Sequence, residues 1–382
     1  MKIQPRPLNK PMIVVHVVEP FAAGIAVFVK YLTETMPHDQ HLIIHGERRE
    51  VMTAAEVKKT FPLPNVRFIK WKSAQRSIDL VKDFLALAEL YNILKRLKNQ
   101  KLVDSVHLHS SKSGLLGRVV CRMLGIKNVF YTPNGASFLS GKNVVAKYFY
   151  RQAEKFGHRL GGRVVCCSVS ELNAYRKIGI DATYISNGTA VEKRAQANNA
   201  IKKESFRIIT SGRITSQKNP SLFNNIAGYF SELEQFEFIW AGDGEDRPLL
   251  TAKNIMVTGW LKEKEIKKLV AESDMYLSTA LYEGMSFGVL EALILKKPVL
   301  LSHCVGNTDV VKNGINGDLF RTQADAIVKI LQYYNNRDML PVMGGFSKSI
   351  CETEFNVENN FTTYRALYTN TTITPIKKWA FA

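Results

Sequence analysis

Two glutamates, Glu283 and Glu291, stand eight residues apart in a stretch that also holds Gly284 and Gly288. Glycine has no Cβ, so a ligand can approach the backbone closely at such positions. An ionised carboxylate only accepts hydrogen bonds, and sugar hydroxyls are natural donors to it. The stretch therefore indicates a site for a hydroxyl-rich ligand. The plainer alternative is that Glu283 is a loop charge and Glu291 a solvated helix position.

The segment around these glutamates is typical of a strand, a loop, a helix and a second strand. The apolar runs at 274–280 and 298–302 have the length and composition of buried strands. Between them, Ser286 stands where an N-cap belongs, and Phe287 opens an apolar spacing that predicts a helix over 286–296. The unpaired N–H groups and the positive dipole end at such a helix start favour an anion such as phosphate.

Two cations follow an earlier apolar run, at the turn that begins with Gly212. The Arg213 guanidinium can fork onto two phosphate oxygens, and Lys218, five residues later, supplies a point charge. Together they would offset about two charges of a diphosphate leaving group, and stabilising that charge is how such a site gains rate. The alternative is an ordinary turn with cations on its surface.

The Glu-x7-Glu stretch, with its internal Gly-Met-Ser-Phe-Gly, resembles the signature of the retaining nucleotide-sugar glycosyltransferases of glycosyltransferase family 4, which have the GT-B fold. Segment 211–220 resembles the family's Gly-Arg-x5-Lys-Asn-Pro pattern, and the likeness extends over roughly residues 12–370. The resemblance implies that Glu283 contacts the donor sugar and Glu291 the ribose hydroxyls. It also implies that Arg213 and Lys218 replace a metal, so that neither a metal nor a cofactor is expected.

The same resemblance implies further donor-binding positions in loops that follow strands. At the first of these loops the family usually has two glycines, whereas here only Gly24 remains, and a plain turn is the alternative. Gly242 belongs to a turn that we interpret as a close approach of backbone to ligand, and Gly259 to a segment that would recognise the base. The donor-binding set is Gly24, Gly212, Gly242, Gly259, Ser286, Phe287, Gly288 and Glu291.

Segment 106–114 resembles the family's His-x-His-Ser-Ser-Lys loop, which implies an acceptor-binding role for His109, Ser110, Ser111 and Lys112. Because side chains alternate along a strand, His107 and His109 share one face. Two histidines on a strand would also suggest a metal, but the sequence shows no third ligand nearby, and catalytic zinc sites usually have three. We therefore expect no metal site.

Asn134 is a departure from the family pattern. Similar family members have Tyr-Thr-Pro-His-Gly where this chain has Tyr-Thr-Pro-Asn-Gly. An amide can donate and accept hydrogen bonds but cannot take a proton at neutral pH, so a general-base role is in doubt. The resemblance still implies that Asn134 lies at the reaction centre, because retaining transfer in this family is pictured with the departing phosphate helping to deprotonate the acceptor. The alternative is a tight Asn-Gly turn.

Charge is distributed unevenly along the 382 residues. Of the formal net charge of +18, residues 1–190 carry +16 (29 Lys and Arg against 13 Asp and Glu) and residues 191–382 carry +2. A basic surface suits anionic partners such as lipid headgroups, a lipid-linked phosphate or nucleic acid, although a merely soluble basic domain is possible. The five cysteines lack metal-binding spacing, which predicts reduced and mostly buried thiols.

We expect the protein to be cytoplasmic and peripheral at the inner face of the cytoplasmic membrane. The basic residues 1–10 precede only about seven apolar residues, too few for a signal peptide core or a membrane span. The basic-aromatic tail at 376–381 could touch the interface. The predicted contacts of the basic half are Trp71 and Lys72, the helix over 79–97, residues 98–101 and the loop at 48–49.

Strands and helices alternate in both halves of the chain. This pattern predicts an α/β protein with parallel sheets, and a length that favours two domains. The predicted strands are 12–18, 41–45, 66–69, 103–109, 129–132 and 164–168, then 206–210, 236–241, 255–258, 275–278 and 299–302. The predicted helices include 26–36, 79–97, 114–124, 144–160, 220–230, 263–272 and 286–296.

With the resemblance, this predicts a GT-B fold: two doubly wound parallel-sheet (Rossmann-like) domains that face each other across a cleft, where ligands bind at the carboxyl ends of the strands. The first domain, 1–190, would bind the acceptor, and a helix over about 357–382 would cross back to it. The second, 191–356, would bind the nucleotide sugar. The join is predicted near 191–204, where no apolar period persists.

The function implied is that of a retaining, metal-independent glycosyltransferase in the biosynthesis of a surface polysaccharide such as capsule or O-antigen. It would move a sugar from a UDP- or GDP-sugar to a glycan acceptor that is lipid-linked. One alternative is a GT-B nucleotide-sugar epimerase or phosphorylase. The other is a basic, non-enzymatic nucleic-acid-binding protein, which has the charge but no recognition motif, so no specific nucleic acid is expected.

Overall fold

The structure is a computed structural model that describes residues 11–19, 21–47, 54–59, 61, 63–75, 79–140, 144–191 and 205–369. The predicted loop at 48–49, nearly all of the predicted join and the predicted tail at 376–381 lie outside the described residues.

The first domain is built on a sheet in which seven parallel strands are described, in the order β3-β2-β1-β4-β5-β6-β7. Its strands are β1 Ile13–Val18, β2 Gln40–His45, β3 Val66–Lys70, β4 Ser105–His109, β5 Val129–Thr132, β6 Arg163–Cys166 and β7 Ala182–Tyr184. Its helices are α1 Ala23–Glu34, α2 Ala54–Lys59, α3 Leu80–Asn99, α4 Ser111–Met123, α5 Val144–Leu160 and α6 Val169–Lys177.

The second domain has the same winding, with six parallel strands among its described residues in the order β10-β9-β8-β11-β12-β13. The strands are β8 Phe206–Ser211, β9 Phe236–Ala241, β10 Ile255–Val257, β11 Met275–Ser278, β12 Val299–Ser302 and β13 Gly317–Phe320. The helices are α7 Pro220–Tyr229, α8 Glu263–Ala271, α9 Phe287–Ile294, α10 Gln323–Asn335, α11 Met339–Glu354 and, returning to the first domain, α12 Val357–Tyr368. The predicted fold class, two doubly wound parallel sheets, is confirmed.

The last helix, α12, packs on the first domain. The ring of Phe361 lies 4.9 Å from that of Phe28 in α1, centroid to centroid. Arg365 Nε lies 2.8 Å from a carboxylate oxygen of Asp39, which is fully buried. The chain therefore crosses between the domains twice, and the crossings touch, because Thr189 forms a parallel β-bridge with Asn356.

The structure corrects several predicted element boundaries. Helices α1 and α4 begin three residues earlier than predicted, so Ser111 and Lys112 open a helix rather than follow a turn. The cause is Ser110, whose φ of +67° turns the chain directly after β4. Strands β7 and β13 were not predicted, because three or four residues with mixed polarity give too short a periodic signal.

All five cysteines are free thiols, four of them buried, as predicted. No helix within the described ranges combines the length and the apolar character needed to cross a bilayer.

Candidate active site

A compact polar cluster lies at the carboxyl end of β8 and the start of α9. The Lys218 ammonium lies 2.7 Å from Glu283 Oε1, so the two side chains form a close ion pair. The same ammonium donates to Ser286 Oγ at 3.3 Å. The fold thus brings Lys218 next to Glu283 and Ser286, which lie 65 and 68 positions later in the sequence. All three are predicted site residues.

Burial and neighbouring charges change the pKa values of the two cations in this region. Burial disfavours the charged form of Lys218, but Glu283, together with Tyr276 and Cys304, outweighs the burial and raises the pKa of the ammonium above its ordinary value. Arg213 lies in the loop that follows β8. Its Nε is 4.0 Å from Glu245 Oε2, and burial lowers the pKa of its guanidinium. Both groups remain cations at neutral pH, so the edge of this sheet offers two positive charges to an anion.

The helix that starts beside this cluster has an open N-terminus. Ser286 precedes α9, but its hydroxyl accepts from Lys218 instead of capping the helix, and the structure shows no side-chain cap. Helices α1 and α4 in the first domain also lack a side-chain cap. By contrast, α3, α6, α7, α10 and α12 are capped by Asp79, Ser168, Asn219, Thr322 and Asn356. Free N–H groups at α9 are therefore available to a phosphate.

Close packing within the second domain requires several of the predicted glycines. A Cβ on Gly242 would lie 2.2 Å from Gly212 O, and one on Gly288 would lie 2.4 Å from Ser211 Oγ. These glycines let the loops after β8 and β9 and the start of α9 meet. Gly259 has a φ of +72°, and a Cβ there would lie 3.8 Å from Asp243 Oδ2.

The other end of the predicted donor site spans both domains. A Cβ on Gly24 at the start of α1 would be 3.7 Å from the ring of Phe287 at the start of α9. The Phe287 ring also lies 6.0 Å from that of Tyr31. Glu291, one turn further along α9, is partly buried, and burial, with help from the nearby Glu263, raises the pKa of its carboxyl to about 7. A buried carboxylate without a strong cation partner can accept hydrogen bonds from a ligand.

Asn134 lies where the two domains meet. Its φ is +55°, its side-chain amide donates to Thr132 O at 3.3 Å, and Cys167 Sγ lies 3.6 Å from its Oδ1. The following Gly135 faces Gly284, where an added Cβ would come within 2.7 Å of the Gly135 nitrogen. The Asn-Gly segment therefore forms a sharp bend, close to the alternative interpretation of this position, and it is pressed against the loop that carries Glu283.

Glu171, which the sequence analysis missed, holds this turn from below. It is fully buried. Its Oε1 accepts from the N–H groups of Gly135 at 3.0 Å and Ala136 at 3.1 Å, and its Oε2 from Cys167 N at 2.8 Å. Burial raises the pKa of Glu171 to about 7, against the effect of these three bonds. The signal was present, since Ser168-x-x-Glu171 has the pattern of a capping box.

A second contact between the domains was also missed. The N–H of Ser170 donates to Asp309 Oδ1 at 3.1 Å, and its hydroxyl bonds to the same carboxylate. That hydroxyl also accepts from Gly306 N at 2.8 Å. Gly306 packs against Glu283, since a Cβ there would lie 2.8 Å from that of Glu283. The loop at 306–309 thus joins Ser170 of the first domain to the backbone beside Glu283 in the second.

The predicted acceptor residues are placed differently from one another. Ser110 Oγ donates to Glu19 O at 2.8 Å, and Ser111 Oγ accepts from Ser137 Oγ at 3.0 Å. Lys112 Nζ lies 2.5 Å from Asp83 Oδ1 at the start of α3. His109, however, has no exposed surface. Its ring lies in the core beneath the loop and not at the cleft surface with the other three.

His109 belongs to a buried cluster of histidines. His107 and His109 share a face, as predicted, with ring centroids 4.1 Å apart. The strand β1 adds His16, whose Nδ1 lies 3.1 Å from His109 Nε2, and β2 adds His41, whose Nδ1 lies 3.0 Å from His16 Nε2. The nearby third ligand that the sequence did not reveal is therefore present: nitrogens of His16, His107 and His109 all lie within 4.8 Å of one another.

Hydrogen bonds account for nearly all ring nitrogens of this cluster. His41 Nε2 contacts the carbonyl of Met36 at 3.2 Å and must donate to it. A neutral His41 then accepts from His16 at Nδ1, and His16 accepts from His109. His107 contacts Tyr368 Oη at 2.6 Å and Thr132 Oγ1 at 2.8 Å. Burial and neighbouring imidazoles hold the pKa values of His16, His107 and His109 well below their ordinary value of 6.5, so the cluster is a neutral network. Among its ring nitrogens, His109 Nδ1 has no hydrogen-bond partner within the described part of the chain.

Two family models together match residues 22–343 of the chain. The model described as Glycosyltransferase Family 4 matches residues 22–193, and the model described as Glycosyl transferases group 1 matches residues 191–343. They meet at the predicted join.

Curated relatives agree with this match. The chain is 30% identical over 319 residues to an Escherichia coli protein named UDP-Gal:alpha-D-GlcNAc-diphosphoundecaprenol alpha-1,3-galactosyltransferase, covering 77% of this chain and 81% of that one. It is 25% identical over 338 residues to an uncharacterized 41.2 kDa protein in the cps region of Klebsiella pneumoniae, covering 84% and 89%.

Solved structures share the fold at low identity. HepE from Anabaena, crystallised with UDP and glucose, superposes with a TM-score of 0.73 at 14% identity, covering 92% of this chain and 98% of that one. A sucrose-phosphate synthase from Thermosynechococcus elongatus gives a TM-score of 0.76 at 14% identity, covering 94% and 98%.

Proposed function

The chain belongs to glycosyltransferase family 4, with the GT-B fold, and from this premise we propose that it is a retaining, metal-independent enzyme that transfers a sugar from a UDP-sugar to a polyprenol-diphosphate-linked acceptor. The observation that carries the proposal is the cluster of Lys218, Glu283 and Ser286 beside the open N-terminus of α9. It combines cations and free N–H groups for a diphosphate with a carboxylate for sugar hydroxyls.

In this proposal the donor lies along the carboxyl edge of the second sheet. Its diphosphate sits between Arg213, Lys218 and the first N–H groups of α9. Glu283 accepts hydrogen bonds from the sugar, and Glu291 accepts from the ribose. Because Lys218 is already paired with Glu283 at 2.7 Å, it is held in place before the donor arrives, and little reorganisation is needed as charge develops on the leaving group.

Transfer then breaks the bond between the sugar C1 and the β-phosphate oxygen, and forms a bond from C1 to the acceptor hydroxyl oxygen on the same face. The hydroxyl proton passes to the departing diphosphate. Asn134 cannot take this proton, but from its place opposite Gly284 its amide can orient the reacting hydroxyl. Arg213 and Lys218 neutralise the diphosphate in the role that a divalent metal has in other transferases.

The identity of the substrates is argued from the relatives. The E. coli relative is named for UDP-galactose and a GlcNAc-diphosphoundecaprenol acceptor, so this pair is the first to test, with GDP-sugars as the comparison. The relative from a cps region supports a place in surface polysaccharide synthesis. With this acceptor, we place the enzyme at the inner face of the cytoplasmic membrane, as a peripheral protein.

The test is a transfer assay with UDP- and GDP-sugars and a GlcNAc-diphospho-lipid whose tail is short enough to stay in solution, run with and without excess chelator. We expect a disaccharide product with the donor's α-configuration by NMR, and an unchanged rate with chelator. A β-linked product, or loss of activity to EDTA with rescue by Mn²⁺, contradicts the proposal. Epimerised donor without transfer, or transfer to inorganic phosphate instead, assigns the site to an epimerase or a phosphorylase.

A further inference from the structure

The first turns of α3 expose large apolar side chains to solvent. Leu80 is 86% exposed, Val81 72%, Phe84 69% and Leu85 55%. Their spacing places all four on one side of the helix, whereas the buried residues of α3 begin at Ala86. Single exposed apolar residues are ordinary, but a contiguous group of this kind marks an interaction surface.

The first turns of α5 repeat the pattern. Val144 is 83% exposed, Val145 63%, Tyr148 59% and Phe149 66%, with the same spacing of one, four and five residues. Buried side chains of α5, such as Glu154, lie further along the helix. We call the eight residues together the apolar rim: Leu80, Val81, Phe84, Leu85, Val144, Val145, Tyr148 and Phe149.

The apolar rim lies at the mouth of the cleft. Helices α3 and α5 both follow parallel strands, so both begin at the carboxyl edge of the sheet, and α4 lies between them. The start of α4 is tied to both sides. Lys112 pairs with Asp83 in the first turn of α3, and Ser111 bonds to Ser137 in the turn before α5. The rim thus flanks the Ser110–Lys112 segment that is predicted to bind the acceptor.

Basic side chains accompany the rim. Along α5, Lys147, Arg151, Lys155 and Arg159 recur every four residues, and residues 1–190 carry a net charge of +16. The acidic groups nearby have partners, since Asp83 pairs with Lys112, Asp79 caps α3 and Glu154 pairs with buried Arg118. Apolar residues next to a basic stripe are typical of a helix that lies in the interface of an anionic membrane.

The contact differs from the one predicted from charge alone. Trp71 was predicted to touch the membrane, but it is 1% exposed and its indole N–H donates to Ala86 O at 2.9 Å. That prediction is wrong, because Trp71 anchors the loop to α3 from inside. The start of α3, not its basic end at 98–101, carries the exposed apolar surface.

We propose that the apolar rim inserts into the interfacial layer of an anionic phospholipid membrane and holds the cleft mouth against it. The orientation rests on the proposed function, since it brings the diphosphate of a lipid-linked acceptor to the start of α4 while the lipid tail stays in the bilayer. Insertion adds a component of binding that salt does not remove, because only the attraction between charges is screened.

The test measures co-sedimentation of the full chain with vesicles of phosphatidylglycerol and phosphatidylethanolamine at 0.1 and 0.5 M NaCl, without either substrate. Two variants remove half of each patch: Phe84→Ser with Leu85→Ser, and Tyr148→Ser with Phe149→Ser. The matched control is Val342→Ser with Phe346→Ser, an exposed apolar pair on α11 of the second domain, 60% and 49% exposed. We expect each rim variant to lose at least tenfold in vesicle affinity at 0.5 M NaCl and the control to bind as wild type.

Activity separates this proposal from the proposed function. With the soluble short-tailed acceptor, the rim variants are expected to retain wild-type rates. With a long-chain acceptor in vesicles they are expected to lose at least tenfold. Wild-type protein that does not sediment with vesicles, rim variants that bind like wild type, or a wild-type dimer that the rim variants convert to monomer would overturn the proposal. Absence of transfer to the soluble acceptor by wild type would instead contradict the proposed function and leave the vesicle result standing.

Discussion

The cleft edge of the second sheet presents charged side chains. The cleft edge of the first sheet instead presents backbone segments in which residues other than glycine have positive φ angles. In the second domain the cations Arg213 and Lys218 and the carboxylate Glu283 face the cleft. The positive-φ positions beside them are glycines such as Gly212 and Gly306, except for Asn219, whose φ is +53°. In the first domain Ala23, Ser110 and Asn134, which follow β1, β4 and β5, have positive φ values of 51°, 67° and 55° without being glycine.

This difference shows how the two sides are kept in place. The charged side chains of the second domain are positioned by ion pairs, Lys218 with Glu283 at 2.7 Å and Arg213 with Glu245 at 4.0 Å. The backbone of the first domain needs support from below, because left-handed φ angles are costly for residues with a Cβ. Glu171 provides it at 135–136, and the neutral histidine cluster lies under the 109–112 segment.

Replacing the charges of the second domain should have the largest effect. We expect Glu283→Ala and Lys218→Ala to lower turnover by about 10² or more, as when stabilisation of transition-state charge is lost. Because the two side chains pair with each other, the double variant should be little worse than either single one. The measurement is kcat with circular dichroism as a check of folding. Glu232→Ala, which removes an exposed ion pair with Lys253 in the same domain, is the control and should leave kcat unchanged.

Acid should affect the first domain more than the second. Histidines 16, 41, 107 and 109 have folded-state pKa values below the unfolded 6.5, so the unfolded chain binds four more protons there as pH falls below 6.5. Glu171 and Glu291 oppose this, since their raised pKa values let the native state bind two protons that the unfolded state, at 4.5, does not.

Because the histidines outnumber the two carboxyls, the free energy of unfolding should fall as the pH is lowered from about 6.5 towards 5. Thermal unfolding followed from pH 7 to 5 checks this. A melting temperature that is constant or rises on acidification would show that the buried imidazoles are not held neutral.

Glu171→Ala tests the support beneath the first domain. It leaves the N–H groups of Gly135, Ala136 and Cys167 without an acceptor, and we expect each N–H that stays out of reach of water to cost about 1 to 3 kcal/mol of stability. Because the turn beside Asn134 then shifts, kcat should fall about tenfold. Glu171→Gln should lie between, and its acid slope should be steeper, since one opposing proton is gone. As control, Glu265→Ala removes an acceptor for Lys262 N at an exposed helix start of the second domain and should not change kcat.

The smallest effect is expected at Ala23. With a φ of +51° it has a conformation that suits glycine, so Ala23→Gly should stabilise the protein by about 0.5 to 1 kcal/mol and leave activity intact. Its neighbour Ala22 has an extended φ of −160°, so Ala22→Gly should destabilise by a similar amount through the entropy of the unfolded chain. Chemical denaturation measures both. If both variants changed the free energy of unfolding in the same direction, the backbone angles assigned to Ala22 and Ala23 would be contradicted.

The sequence predicted the second domain's site better than the first's. Lys218, Glu283 and Ser286 lie in short motifs whose chemistry follows from residue type. The residues that support the backbone of the first domain do not lie in such motifs. Glu171 acts on residues 35 and 36 positions away, and His16 meets His109 only through the pairing of β1 with β4. His109 was assigned to the acceptor on motif alone, and its burial depends on α1 and α12 packing over the strand. The alternation of strands and helices was enough to predict the two sheets. It was not enough to predict which polar side chains the sheets would bury.

The return of α12 to the first domain bears on the order in which the protein is completed during synthesis. The ribosome releases β1 to β7 long before Val357–Tyr368, so a nascent first domain lacks the Phe361 ring that packs on Phe28 and the Tyr368 hydroxyl that bonds to His107. The second domain is contiguous and can close its core first, the reverse of the usual order along a chain. A nascent chain stalled before α12 would offer chaperones an open apolar face on its older half while its younger half already resists proteolysis.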